Sequence, residues 1–132
     1  WYMLNVYPQR ATNPNNMDTD DTYSMEIHLR NLAVIEELLS TIDRADVWCA
    51  WGAIIDDTKR LYLPDLLFGN EDKNIQGIIS LFIGNYHFKA YGATTKGYPK
   101  HPLLIGKEAK LKSLDKVGLK KLSDRITNKI KK

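Results

Sequence analysis

Short apolar runs alternate along this chain with stretches of helical periodicity, and each run closes on a polar or glycine-containing motif. Trp1 to Val6 is apolar apart from Asn5 and is followed by Arg10-Ala11-Thr12. Asp46 to Ala50 is closed by Trp51-Gly52. His87 to Tyr91 alternates, and Gly97-Tyr98-Pro99-Lys100-His101-Pro102-Leu103 follows it. Runs that are apolar on both faces suit strands covered on two sides. Strands alternating with helices predict an α/β fold, a three-layer α/β/α sandwich with a mostly parallel sheet. In such a sheet ligands sit outside the carboxyl ends of the strands, so the three motifs are expected to face one cleft.

The helical stretches are read from their periodicity. Met25, Leu29, Leu32, Ile35, Leu39 and Ile42 recur at three- and four-residue steps and predict a helix from about Thr22 or Ser24 to Ile42. Asp20-Asp21-Thr22 supplies capping side chains and negative charge at its start. Tyr7 to Asp21 is a polar loop of a length that is usually functional or mobile. Residues 53–74 mix apolar triplets with Pro64 and Gly69, which suits a short helix or an irregular insertion. Ile75 to Ile83 has few polar positions and reads as a buried helix stopped by Gly84-Asn85. Leu114, Val117, Leu122, Ile126 and Ile130 form a stripe on a C-terminal helix, with Ser113 as its cap.

A length of 132 residues and 43% apolar content favour one domain with a core of its own. Residues 1–106 form the α/β core in this reading, and 107–132 a basic amphipathic helix packed on it or extending it. That helix segment holds ten Lys/Arg against three acids, a charge of +7, while the rest of the chain holds nine against thirteen, or −4. A basic tail on an acidic body attracts phosphate. It is also what a lysine-rich solvated helix face looks like.

Several chemistries are disfavoured. The single Cys49 rules out an internal disulfide, and its apolar surroundings suit a buried, inert thiol. His28, His87 and His101 show no ligand spacing, which argues against a zinc site, and no cofactor is implied. A glycine-rich phosphate loop and a Gly-x-Ser-x-Gly elbow are both missing from the sequence. No apolar stretch approaches the roughly 20 residues of a membrane span, so a soluble cytoplasmic protein with no membrane partner is the expectation.

The remaining candidates carry polar chemistry at strand ends. Asn5, inside an apolar strand, either ties down a neighbouring loop or reads a base edge with its paired donor and acceptor. Arg10 offers two parallel bonds to a phosphate or carboxylate, or forms a surface ion pair; Thr12 lies beside it. Trp51, before Gly52, stacks on a planar ligand or plugs the core beneath a turn. His101 is held between Pro99 and Pro102, as suits a donor aimed at developing negative charge, or a purely structural turn.

The ordered set Asn5…Arg10-Ala11-Thr12, Ala50-Trp51-Gly52 and Gly97-x-Pro99-Lys100-His101-Pro102-Leu103 resembles domain of unknown function family 1643, a bacterial and phage family. The resemblance covers roughly residues 1 to 105. Family members usually carry an upstream Asn-Pro-Ser-Thr segment. The layout is also similar to that of the uracil-DNA glycosylase superfamily, which implies a glycosylase-like fold. By that resemblance Asn5 matches the residue that reads the uracil edge, and His101 the histidine that stabilises the departing base anion. A glycosylase of this kind flips its target base into the pocket. Its water-activating Asp lies upstream of the Asn strand, which here means upstream of Trp1. The closing loop also departs from the superfamily, whose His-Pro-Ser-Pro-Leu is His-Pro-Leu here.

The resulting expectation is a domain that binds a nucleotide or nucleic acid at the strand carboxyl edge. Asn5 contacts the base, Arg10 and Thr12 the phosphate or ribose, Trp51 with Gly52 forms a wall, and His101 donates a hydrogen bond. One rival is a base-excising N-glycosidase whose catalytic acid lies upstream. Another is a protein-interaction module using residues 61–68 and the basic helix, with no small-molecule site.

Overall fold

A 15-residue stretch whose buried positions fall at His28, Leu32 and Ile35 makes the longest element, helix α1 (Met25–Leu39). The computed structural model describes residues 2–9, 13–51, 55, 57–90, 112–113, 120–121 and 124. They fall into two compact units, one of Trp1–Asp43 with Thr58–Ile83, the other of Arg44–Asp57 with Gly84–Lys132.

In the first unit, α1 begins at the extended residue Ser24, whose N–H is taken by the Tyr7 hydroxyl at 3.0 Å. It ends at Leu39, short of the expected Ile42. Ser40 Oγ and Thr41 Oγ1 donate to the carbonyls of Glu37 and Leu38, at 2.6 and 2.7 Å. Those bonds satisfy acceptors that the end of a helix leaves unpaired. The buried stripe also differs from the expected one, since Leu29 is 59% exposed. His28, one position away, is fully buried in its place. Burial is tolerable because Nε2–H donates to the Gln76 carbonyl at 2.8 Å, an acceptor that fixes the tautomer.

Residues 53–74, ambiguous in sequence, include helix α2 (Tyr62–Phe68). Pro64 is its third residue, inside the first turn, where its missing N–H costs no intrahelical bond. Tyr62, Leu63, Leu66 and Leu67 are all buried, each apolar side chain contributing about 1.5–3 kcal/mol relative to exposure. Asp20 supplies the cap: its Oδ1 accepts from the Tyr62 N–H at 2.9 Å. The acidic cluster therefore caps α2, not α1. Its own backbone is turned back by bonds from Thr22 N and Tyr23 N to Thr19 O.

After α2 the chain makes a tight hairpin in which Asn70 and Ile75 exchange backbone bonds of 2.9 and 2.8 Å. Asp65 holds it to α2, accepting from Asn70 Nδ2 and Lys73 Nζ, both at 2.9 Å. The expected helix over Ile75–Ile83 is only a 3-10 turn, Ile78–Leu81. The hairpin consumes Ile75, and Gly77 runs against the end of α2. A Cβ on Gly77 would collide with the backbone at Gly69 N and Phe68 C.

The N-terminal run is not a strand. Residues 2–5 have no regular structure, and Tyr2 and Met3 are 68% and 71% exposed. A strand's backbone groups require a neighbour, and among the described residues no strand pairs with this segment. Asn5 is correspondingly exposed, not buried.

The second unit carries the sheet, in the order β1 (Arg44–Trp48), β2 (Asn85–Ala90), β3 (Lys112–Ser113). The first two strands are parallel, pairing Ala45 with Tyr86 and Val47 with Phe88. Cys49 N–H extends the ladder to Lys89 O at 2.7 Å. Both strands alternate in burial where described, β1 contrary to a strand covered on two sides and β2 in keeping with its alternating sequence. On the outer face Lys89 pairs with Asp46 at 3.0 Å, and Trp48 is 47% exposed. β3 runs antiparallel to β2, so Ser113 lies in a strand and does not cap a helix. Lys120, Lys121 and Asp124 are helical. Among the described residues no helix is long and apolar enough to cross a membrane.

The approach of Gly77 to Phe68 and Gly69 leaves no room for a Cβ. Gly77→Ala is expected to lower Tm by roughly 10 °C, because the clash is with backbone and cannot be relieved by a rotamer change. Gly84 has a φ of +105°, and a Cβ there would meet nothing within 4 Å. Gly84→Ala should therefore cost only the left-handed backbone penalty, about 1 kcal/mol. Thermal melts of the two variants side by side check the difference.

Candidate functional site

The loop from Tyr7 to Asp21 is long, polar and yet pinned, and Asp18 is where it is pinned. Asp18 Oδ2 accepts from the Tyr7 hydroxyl at 2.7 Å and Oδ1 from Thr22 Oγ1 at 3.2 Å. Its N–H donates to Gln9 Oε1 at 2.7 Å, and its carbonyl accepts from the Tyr62 hydroxyl at 2.7 Å. Arg60 is buried and donates from Nη2 to the carbonyls of Asn15 and Met17, at 3.3 and 3.1 Å. Asp20 N–H reaches the Lys59 carbonyl at 3.1 Å. The loop is thus stitched along residues 59–62.

Three tyrosines fill the space around these bonds. Tyr23 stacks on Tyr62 at 4.5 Å between ring centres with 7° between planes, and Tyr7 meets Tyr62 edge-on at 5.2 Å. Burial pushes the Tyr62 phenol up to about 12, with the Tyr7, Asp18 and Asp20 oxygens adding to the shift and Arg60 opposing it. Tyr7 is also raised, by burial first and by its bond to Asp18, while the Ser24 N–H opposes the shift. Both hydroxyls are protonated donors at neutral pH. They are structural, and they fix the position of the segment that precedes them.

That segment carries Asn5. Its carbonyl accepts from Asn31 Nδ2, on α1, at 2.9 Å. Tyr7, two residues on, is 4% exposed and grips Ser24 and Asp18. Gln9 N–H closes a bond to Tyr7 O at 2.8 Å. The backbone is therefore held at the Asn5 carbonyl and again two residues on at Tyr7, while the Asn5 side chain is at the surface with no hydrogen bond inside the described residues. A carboxamide in that state offers a donor and an acceptor to a ligand.

The other candidates are placed as follows. Trp51 is half-buried in the second unit, two residues beyond the last ladder bond of β1. Arg10, Thr12, Gly52 and His101 lie outside the described residues. Cys49 is 3% exposed, and burial pushes its thiol up to about 12, so it is protonated and unreactive at neutral pH. A cleft of about 400 Å³ beside α1 is lined by Met25, His28, Leu29, Glu71, Asn74, Ile75 and Gln76, none of them in the sequence motifs. Among the described residues no three His, Cys, Asp or Glu side chains come together to hold a metal. Sequence reasoning missed Asp18, Tyr62 and Asn31. Only the unusual loop length pointed toward the first, and nothing in spacing pointed toward the other two.

Helices joined to a parallel strand pair put the protein in the α/β class. The profile of the family described as "Protein of unknown function (DUF1643)" matches residues 1–103, and the chain belongs to that family. No curated protein and no solved structure matches it.

Tyr62→Phe removes the bond to the Asp18 carbonyl and should destabilise by about 1–2 kcal/mol at pH 7. The wild-type phenol ionises near 12 when folded, above its ordinary value of 10. Its contribution to stability is therefore complete below pH 10 and is lost as pH rises through 12. Denaturant titrations across that range should show a shallower alkaline decline in the Phe variant. Asp18→Ala, which strips the carboxylate from Tyr7 and Thr22, is expected to cost about 1.5–3 kcal/mol by the same assay.

Proposed function

We propose that this protein is a glycosylase-like α/β domain, built as a three-layer sandwich, that binds a nucleotide or nucleic acid. Asn5 is the residue that meets the base. The observation that carries this reading is the combination at Asn5 of an anchored backbone and an exposed carboxamide with no hydrogen bond among the described residues. Holding a polar group in place before the ligand arrives reduces the ordering cost of binding. An Asn side chain has the donor–acceptor pair that a base edge requires.

The remaining roles follow the motif layout. Arg10 and Thr12, a few residues past Asn5, take the phosphate or ribose, for which a guanidinium is well matched. Trp51 and Gly52 provide a wall at the end of β1, a half-buried indole being suited to a planar ligand. His101 donates a hydrogen bond to the base. The lysine-rich stretch after residue 107 adds attraction to phosphate that weakens steeply with salt.

A thermal-shift titration tests the reading, using uracil, nucleotides and a uracil-containing single-stranded oligonucleotide. Wild type should be stabilised by at least one of them, by about 2.7 kcal/mol at a hundredfold excess over Kd. Asn5→Ala should lose that stabilisation without a change in its ligand-free Tm, since the side chain makes no hydrogen bond among the described residues. No shift with any probe would overturn the reading.

A further inference from the structure

We infer that Asn31 is a positioning residue for ligand recognition, acting through the backbone of Asn5; this rests on the reading of Asn5 as the base-contacting residue. Helix α1 holds the Asn5–Tyr7 segment at two points. Ser24 N–H, at the start of the helix, donates to the Tyr7 hydroxyl at 3.0 Å. Asn31 Nδ2 donates to the Asn5 carbonyl at 2.9 Å. The two points are seven residues apart, about two helical turns, so both lie on one face roughly 10 Å apart along the axis. Buried His28 and Ile35 share that face, which makes it a rigid surface for the clamp.

The two anchors have different consequences. The Tyr7 anchor belongs to the buried network through Asp18, so removing it disturbs the loop as a whole. The Asn31 anchor, among the described residues, is a single bond to the residue that displays the carboxamide. Asn31 is half-buried at the edge of the α1 stripe, and its side-chain bond to the Asn5 carbonyl is solvent-accessible. Loss of such a bond has little effect on stability. It does free the Asn5 backbone, since residues 2–5 have no regular structure to hold it. A base edge is read by two hydrogen bonds that lie in the plane of the ring, so orientation of the carboxamide decides discrimination as well as affinity.

Fluorescence anisotropy on the whole chain tests this with two labelled single-stranded oligonucleotides that differ only by uracil or cytosine at one position. Asn31→Leu, close in shape but without a donor, should weaken the preferred oligonucleotide about 3- to 10-fold. It should also bring the ratio of the two affinities toward one, with Tm unchanged. Asn31→Asp, whose ionised side chain cannot donate, should do the same if the Leu variant is unstable. Asn31→Gln keeps the donor and should recover part of the ratio. Wild-type affinity and ratio in both Asn31→Leu and Asn31→Asp, with binding lost in Asn5→Ala, would overturn the role of Asn31 alone. Failure of wild type to bind either oligonucleotide, or binding that survives Asn5→Ala, would overturn the Asn5 reading and this inference with it.

Discussion

The bonds around Asp18 are the constraint on which the first unit depends. One residue uses its carboxylate, its N–H and its carbonyl to tie Tyr7, Gln9, Thr22 and Tyr62 together. Among its described residues, the loop that contains it has no sheet or long helix to satisfy its backbone, only the short 3-10 turn Pro14–Asn16. Buried or half-buried backbone groups outside regular structure must find side-chain partners. Arg60 and Tyr62 are those partners, and both come from the start of α2. The Asp20 cap on Tyr62 then makes the arrangement reciprocal: the loop caps the helix and the helix satisfies the loop.

What was legible in the sequence follows the range of the interactions concerned. Helix α1 was legible because its apolar periodicity extends over four turns, and its edges were off by only a few residues. Strand β1 was legible as a short apolar run and β2 from its alternation, with boundaries shifted by one or two positions. The failures share one cause. Trp1 to Val6 has strand composition, but composition does not supply a neighbouring strand. Leu29 has the right spacing for burial, but His28 found a carbonyl acceptor and took the place. Asp20-Asp21-Thr22 has capping chemistry next to α1, but the helix it caps begins about forty residues later. In each case a partner distant in sequence decided the outcome, and local pattern holds no information about that partner.

The candidate site divides the same way. Asn5 was singled out for lying in an apolar strand, a ground the structure removes, yet it remains of interest for the opposite reason. A buried carboxamide would need an internal partner and have nothing left for a ligand. An exposed carboxamide on a mobile segment would lose much of its binding energy to ordering. Asn5 avoids both, because the atoms that anchor it are main-chain atoms and the atoms it displays are side-chain atoms. Trp51 is legible only as far as its position after β1, since its neighbour Gly52 lies outside the described residues.

Helix α1 shows how one element can serve stability and, in the proposed reading of Asn5, recognition as well. Its buried side, His28, Leu32 and Ile35, packs in the core, and a substitution there is felt throughout the unit. Its flank, Asn31, holds one carbonyl of an otherwise irregular segment. Because the helix is fixed by its core contacts, the flank inherits that rigidity without adding to it. The geometry of Asn5 is therefore set by packing along the adjoining buried stripe, through a residue at its edge that contributes little to stability itself. A surface group can be held in place this way without being buried, which is the condition that ligand recognition imposes on it.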